Sequence, residues 1–242
     1  MLILPQLSYG FLDEGGNPYQ SLSFDGSTDY LSMSNANWGS FNLTKFAIAG
    51  AFFTSDAAQD GVLQARYASS AARQWDILIS SNRLRFSAYN VGASTSALFD
   101  SGVTLSNNTW YSYLIHFDSA NATQADRVKV WINGAVDTPS SYEQWTDISV
   151  GVDAETIDSE IGSRQGGGLK FQGLIHQPTF FSGTLPTAAS VFSGTSGKLK
   201  DLAGLTGAYS LIGAEVNAVA DVIKSADWTN NGTVTTSSTV PT

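Results

Sequence analysis

The chain has 242 residues, no cysteine, and 21 acidic against 12 basic side chains, for a formal charge of −9 at pH 7. This length buries a sizeable core without covalent staples, the missing cysteines exclude disulfides and thiolate metal sites, and the negative charge disfavours phosphate backbones, so no nucleic-acid partner is expected. No run reaches the ~18 apolar residues of a membrane-spanning helix. Met1 to Leu4 stops at Pro5 without a basic region ahead of a long apolar stretch, so neither membrane insertion nor a classical export signal is expected.

Residues 1–20 read as an N-terminal segment, apolar enough over Met1 to Pro18 to dock on a partner. Period-2 alternation then dominates. Ser21-Leu22-Ser23-Phe24 and Tyr30-Leu31-Ser32-Met33 read as two short strands joined by a tight turn at Asp25-Gly26. Phe46 to Phe53 is a more continuous apolar run, as expected of a strand buried on both faces. Gln74 to Ile79 and Arg83 to Tyr89 flank Ser80-Ser81-Asn82, which predicts a hairpin. Trp110 to Phe117 is the strongest strand, rich in aromatic and β-branched residues. Arg127 to Ile132 leads into Asn133-Gly134, the pair suited to a type I′ turn, and returns through Ala135 to Asp137.

Gly166-Gly167-Gly168 reads as a turn, or as a flexible loop at the rim of a site. It is not a phosphate loop, because no Lys-Ser or Lys-Thr follows it. Phe171 to His176 is a strand that Pro178 bends or confines to an edge. Pro186 to Phe192 and Lys198 to Leu202 are the two candidate helices, both short. Residues 231–242 form an edge strand or a fraying tail. No repeat or linker divides the chain, and the expectation is one domain over 1–242, an all-β, two-sheet antiparallel sandwich. Trp75, Trp110 and Trp131 are expected in the core. His116 and His176 lie in strands without a nucleophile–acid set beside them, so both are expected to be hydrogen-bonded strand histidines.

Three blocks resemble one family. Leu22 to Leu31 is similar to the opening hairpin of laminin G-like, concanavalin A-like jelly rolls. Trp110 to Phe117 with Val130-Trp131-Ile132-Asn133-Gly134 resembles its central hairpin, and Glu160-Ile161-Gly162-Ser163-Arg164 with Phe171-Gln172-Gly173-Leu174-Ile175 resembles a third pair. The resemblance implies a concanavalin A-like jelly roll. A narrower likeness joins Asp118 to Val130 to laminin G-like proteins encoded by bacteriophages, where the domain is a virion surface module.

The family includes glucan hydrolases with a Glu-x-Asp-x-(x)-Glu strand, whose alternation puts the carboxylates on one face. Glu155, Asp158 and Glu160 miss that spacing by one residue, which turns Glu155 to the other face. No enzyme activity is therefore expected. The family also holds calcium at the sandwich rim, and Asp147, Asp153 and Asp158 are the candidate ligands, with Asp25 and Asp29 flanking the first turn. Tyr142, Trp145 and Arg164 are the candidate ligand contacts. Tyr142 and Trp145 lie in a polar stretch where they either grip a sugar or a neighbouring subunit or plug the end of the sandwich. The expectation is a non-enzymatic bacteriophage structural protein on the virion surface (a decoration, head-fibre or tail component), forming a homo-oligomer and contacting other virion proteins. The alternative is a lectin-like carbohydrate-binding module for host glycans.

Overall fold

A computed structural model describes residues 20–38, 41–90, 95–143, 152, 156–194, 197–202, 205, 208–215, 218–221 and 228–241. In chain order the elements begin with β1 (Ser21–Asp25), β2 (Tyr30–Met33) and a single helical turn, α1 (Asn35–Trp38). The long strands follow: β3 (Lys45–Thr54), β4 (Gly61–Ser69), β5 (Ala72–Ser80), β6 (Arg83–Asn90), β7 (Thr95–Asp100) and β8 (Thr109–Asp118). Next come β9 (Val128–Ile132), β10 (Ala135–Val136), β11 (Ser141–Glu143), β12 (Ser159–Ile161) and β13 (Gln172–Ser182). The chain ends through α2 (Ala188–Val191), β14 (Phe192–Ser193), β15 (Lys198–Leu199), β16 (Ala208–Glu215), β17 (Ala218–Asp221), β18 (Thr229–Asn231) and β19 (Thr235–Ser237).

The strands form two large antiparallel sheets. The first runs β10-β9-β8-β3-β13-β1-β19, with β16 and β17 joined to the far half of β13. The second runs β11-β7-β6-β5-β4-β12-β2-β18. Alternate residues of each turn inward: Phe46, Ile48 and Phe52 of β3 meet Trp75, Ile77 and Phe86 of the other sheet in one core. Phe46 is fully buried against the rings of Phe41, Trp75, Phe86, Phe117 and Phe180, with centroids 4.7–6.5 Å away.

The two expected hairpins form. Ser81 and Asn82 join β5 to β6 with φ of 51° and 59°, and Asn133 and Gly134 join β9 to β10 with φ of 51° and 77°. The expected hairpin of β1 and β2 does not. β1 pairs with β13 and β19 in the first sheet, whereas β2 pairs with β12 and β18 in the second. Leu22 and Phe24 enter the core from one side and Leu31 and Met33 from the other, so the turn carries the chain across the sandwich. Pro178 bends β13 rather than ending it. Register shifts between His176 and Thr179, Gln177 adopts φ 45°, and the strand continues between neighbours on both sides.

A third layer covers the outer face of the first sheet. Ala47, Ala49 and Ala51 of β3, Leu114 and Trp131 pack beneath Val191, Phe192, Leu199 and Leu202 in a separate apolar cluster. This is why β3 reads as apolar on both faces. Lys198 to Leu202, expected as a helix, instead contributes β15, paired with β14. α2 forms as expected, and its Thr187 side chain accepts from Ser190 N. β19 is an edge of the first sheet, in agreement with an edge strand near the C-terminus.

Candidate functional site

The outer face of the second sheet carries no such third layer among the described residues. It carries a polar and aromatic cluster instead. In β5, Trp75 and Ile77 point into the core, so Asp76 between them points outward. Asp76 pairs across the sheet with Ala65 of β4 and Ser87 of β6, and Ala65 pairs in turn with Glu160 of β12. A row Glu160–Ala65–Asp76–Ser87 therefore crosses this face.

The segment from Gly162 to Phe171 folds back over β4. Gly162 N donates to Leu63 O, Val62 N to Leu169 O, and Gln165 N to Tyr67 O, at 2.9–3.1 Å. At its tip Arg164 bridges to Gly168. Gly166 and Gly167 have φ of 68° and 110°, so the three-glycine run is a turn that also borders the cluster. Gly166 N donates to Glu160 at 2.7 Å, and the Ser163 hydroxyl donates to the same carboxylate.

Arg164 Nη1 donates to Asp76, whose side chain is fully buried while that of Arg164 is 20% exposed. Burial pushes the Asp76 carboxyl above its ordinary range, and Arg164, Ser87 and Tyr89 pull it back. The Arg164 guanidinium stands 4.5 Å from the Tyr67 ring centre. Tyr67 and Tyr89 meet edge to face at 5.5 Å. Arg73 stacks on Tyr89 at 4.3 Å and lies 5.9 Å from Tyr67. Burial and the charge of Asp76 raise the Tyr89 phenol, so it remains a neutral donor. The outcome is a Tyr–Tyr platform flanked by two guanidiniums over one buried carboxylate.

Neither carboxylate of the cluster is open to solvent. Asp76 and Glu160 are 0% and 8% exposed, and each is occupied by donors from the returning loop. A glycosidase pair must instead reach the scissile bond. A water-sized cavity in the interior, lined by Trp38, Gln64, Trp75 and Trp228 among others, is too small for a sugar.

Of the residues expected at a site, Arg164 belongs to this cluster. Tyr142 lies in edge strand β11, with its backbone opposite Phe99. Trp145, Asp147, Asp153 and Glu155 lie outside the described residues. Asp158 is exposed and its Oδ1 accepts from Asn35 N at 2.8 Å, fastening the start of α1. Asp25 and Asp29 are likewise occupied. Asp25 accepts from the Ser27 hydroxyl and from the N–H groups of Ser27, Thr28 and Asp29, which together hold it well below the usual carboxylate range, and Asp29 ties Thr233 to the turn. No group of three metal-binding side chains converges among the described residues. His116 and His176 are hydrogen-bonded as expected: His116 Nε2 donates to Pro186 O at 2.8 Å, and His176 lies near Ser21 and Gln177.

Tyr67, Arg73, Asp76 and Tyr89 were not among the residues expected from sequence. Asp76 was detectable, because the alternation Gln74-Trp75-Asp76-Ile77 places an acid on the face opposite two core residues.

No family model matches this chain, and no curated protein does. Solved structures do. A Bacteroides ovatus protein described as carbohydrate-binding aligns with 90% of this chain at TM-score 0.59 and 13% identity, and the chain spans 60% of that protein's length. The heptameric SAP-like pentraxin of Limulus polyphemus aligns with 72% of the chain and 81% of its own, at TM-score 0.51 and 14% identity. The CBM40 of the Ruminococcus gnavus IT-sialidase, solved with α2,3 sialyllactose, aligns with 70% of the chain and 92% of its own, at TM-score 0.52 and 14% identity. At such identities the likeness is one of fold: this chain has the jelly-roll sandwich of lectin-like domains.

Proposed function

We propose that this chain is a non-catalytic carbohydrate-binding domain whose ligand lies on the outer face of the second sheet, around Tyr67, Arg73, Tyr89, Arg164 and Gln165. The observation that carries the reading is the contrast between the two outer faces. One is sealed by an apolar third layer, while the other carries two half-buried arginines, Arg73 and Arg164, over the buried rings of Tyr67 and Tyr89 and beside an exposed glycine turn. Guanidinium N–H groups suit sugar hydroxyls, and the tyrosine rings beneath hold them in place. The carbohydrate-binding protein and the CBM40 of like fold support the reading. A glycan array followed by affinity electrophoresis tests it. At least one glycan class is retained, and no reducing ends are released from it above a buffer blank. Failure to retain any glycan at millimolar concentration overturns the reading.

A second reading mounts the domain on a bacteriophage particle as an oligomer among other virion proteins. The likeness of Asp118 to Val130 to phage-encoded laminin G-like proteins favours it, while the structural likenesses favour glycan binding. The two are compatible, since a surface protein of a virion can also hold host glycans. Mass spectrometry of purified particles tests the virion role, and absence of the protein from them overturns it.

A further inference from the structure

We infer that Arg73 makes this surface selective for glycans carrying a carboxylate or sulfate group; the inference rests on the carbohydrate-binding reading and names its ligand class.

Charge pairing within the cluster is uneven. Two guanidiniums approach the Tyr67–Tyr89 platform, and only one described carboxylate, Asp76, faces it. Asp76 is taken by Arg164. The other ion pairs among the described residues, Lys45–Asp118 and Arg85–Asp100, do not involve this face's arginines. Arg73 has no acidic partner among the described residues, and its Nε is buried without a hydrogen bond. Its contacts are with ring faces. A guanidinium lying over a ring keeps in-plane N–H donors; with Nε buried, the Nη1–Nη2 edge of Arg73 is the one that meets a ligand. A planar carboxylate, or two oxygens of a sulfate, matches that edge with two parallel hydrogen bonds.

The rest of the site keeps Arg73 in place. Arg73 sits at the start of β5, where the register with β4 shifts beside Tyr67, and this irregularity brings its side chain over both tyrosines. Tyr89 is mostly buried and kept neutral, so it does not compete as an anion. The whole chain carries a charge of −9 and repels polyanions at long range. Retention of a polyanion by this protein thus requires a local site, and nonspecific adhesion does not supply it.

The test uses the full chain in affinity electrophoresis with laminarin as the neutral probe, alginate as the carboxylated probe and carrageenan as the sulfated probe, run over a salt series. Wild type, Arg73→Gln and Arg73→Lys are compared after thermal melts show that each is folded. Alginate or carrageenan retards the wild type; Arg73→Gln weakens that binding about tenfold or more. Arg73→Lys, which keeps the charge but loses the planar fork, recovers only part of it. The two anionic probes separate carboxylate from sulfate recognition. If laminarin is bound as well as both polyanions and Arg73→Gln changes nothing, the charge selectivity is overturned and the carbohydrate-binding reading stands. If none of the three is retained and the glycan array is also blank, both are overturned.

Discussion

Acid should loosen the third layer through one histidine. The imidazole of His116 sits on the outer face of the first sheet, edge-on to Trp131 at 4.5 Å, under the segment that carries Pro186. A carbonyl only accepts, so the Nε2 that faces Pro186 O carries the proton and the neutral ring is the form that fits. Burial, with help from Lys129 and Lys45, lowers its pKa from 6.5 to about 4 against the opposing hydrogen bond to Pro186. The folded state therefore binds its proton later than the unfolded chain does. Its stabilisation is complete above about pH 6.5 and is lost as pH falls toward 4. Relative to pH 7, linkage gives a loss of about 2 kcal/mol by pH 5 and about 3 kcal/mol by pH 4. His116→Gln retains an N–H for Pro186 and does not titrate. Urea unfolding of both proteins from pH 7 to pH 4 isolates the effect, because other acid-sensitive groups such as Asp25 are common to both. The stability advantage of wild type over His116→Gln should shrink by those amounts. A difference constant to within about 0.5 kcal/mol over that range refutes the argument.

Phe46→Ala removes a fully buried ring in contact with five others and should cost about 3–5 kcal/mol in urea unfolding; a cost under about 1.5 kcal/mol would mean that the two sheets are not packed through it. Asp76→Leu and Arg164→Met should each destabilise, by about 3 kcal/mol or more where the buried carboxylate loses its partner, while the double variant should lie close to wild type. Additive losses in that cycle would deny the coupling between the pair.

The parts of the fold legible in sequence are those fixed by neighbours in the chain. Ser81-Asn82 and Asn133-Gly134 each require positive φ, and each sits between strands whose alternation sets the register. Sheet membership is not local. Leu22-x-Phe24 and Leu31-x-Met33 show which side chains go inward, but nothing in either segment says that the first pairs with Ile175 and the second with Ile161. Leu199 and Leu202 resembled a helix face because they are apolar and close in sequence. Their apolar character serves instead to cover Ala47, Ala49 and Ala51. The site was the least legible part. Arg164 could be named from its block, yet its partner Asp76 lies on another strand, and Tyr67, Arg73 and Tyr89 come from β4, β5 and β6. No linear motif joins residues brought together only by cross-strand pairing. Asp158 shows the same. Its sequence neighbours give no sign that it accepts from the backbone of α1, more than a hundred residues away.

The asymmetry of the sandwich ties these observations together. Covering the first sheet with Val191, Phe192, Leu199 and Leu202 lets β3 use both faces for burial, and it forces His116 to remain neutral. The same covering removes that sheet from contact with any ligand. The second sheet has no such layer among the described residues, and a bare outer face of apolar residues would invite aggregation. Here Val62 and Leu78 are buried on that face, beside the returning Gly162–Phe171 segment whose backbone is bonded to β4. Asp76 then has a structural task, holding Arg164 and with it the turn, which explains why a carboxylate in the middle of a strand is fully buried. With Arg164 neutralised and Arg73 stacked, the rotamer freedom that an arginine usually loses on binding is largely lost on folding instead. Arg73 has no counter-ion among the described residues, and a pre-ordered guanidinium of that kind is a costly feature for a fold to keep for stability alone.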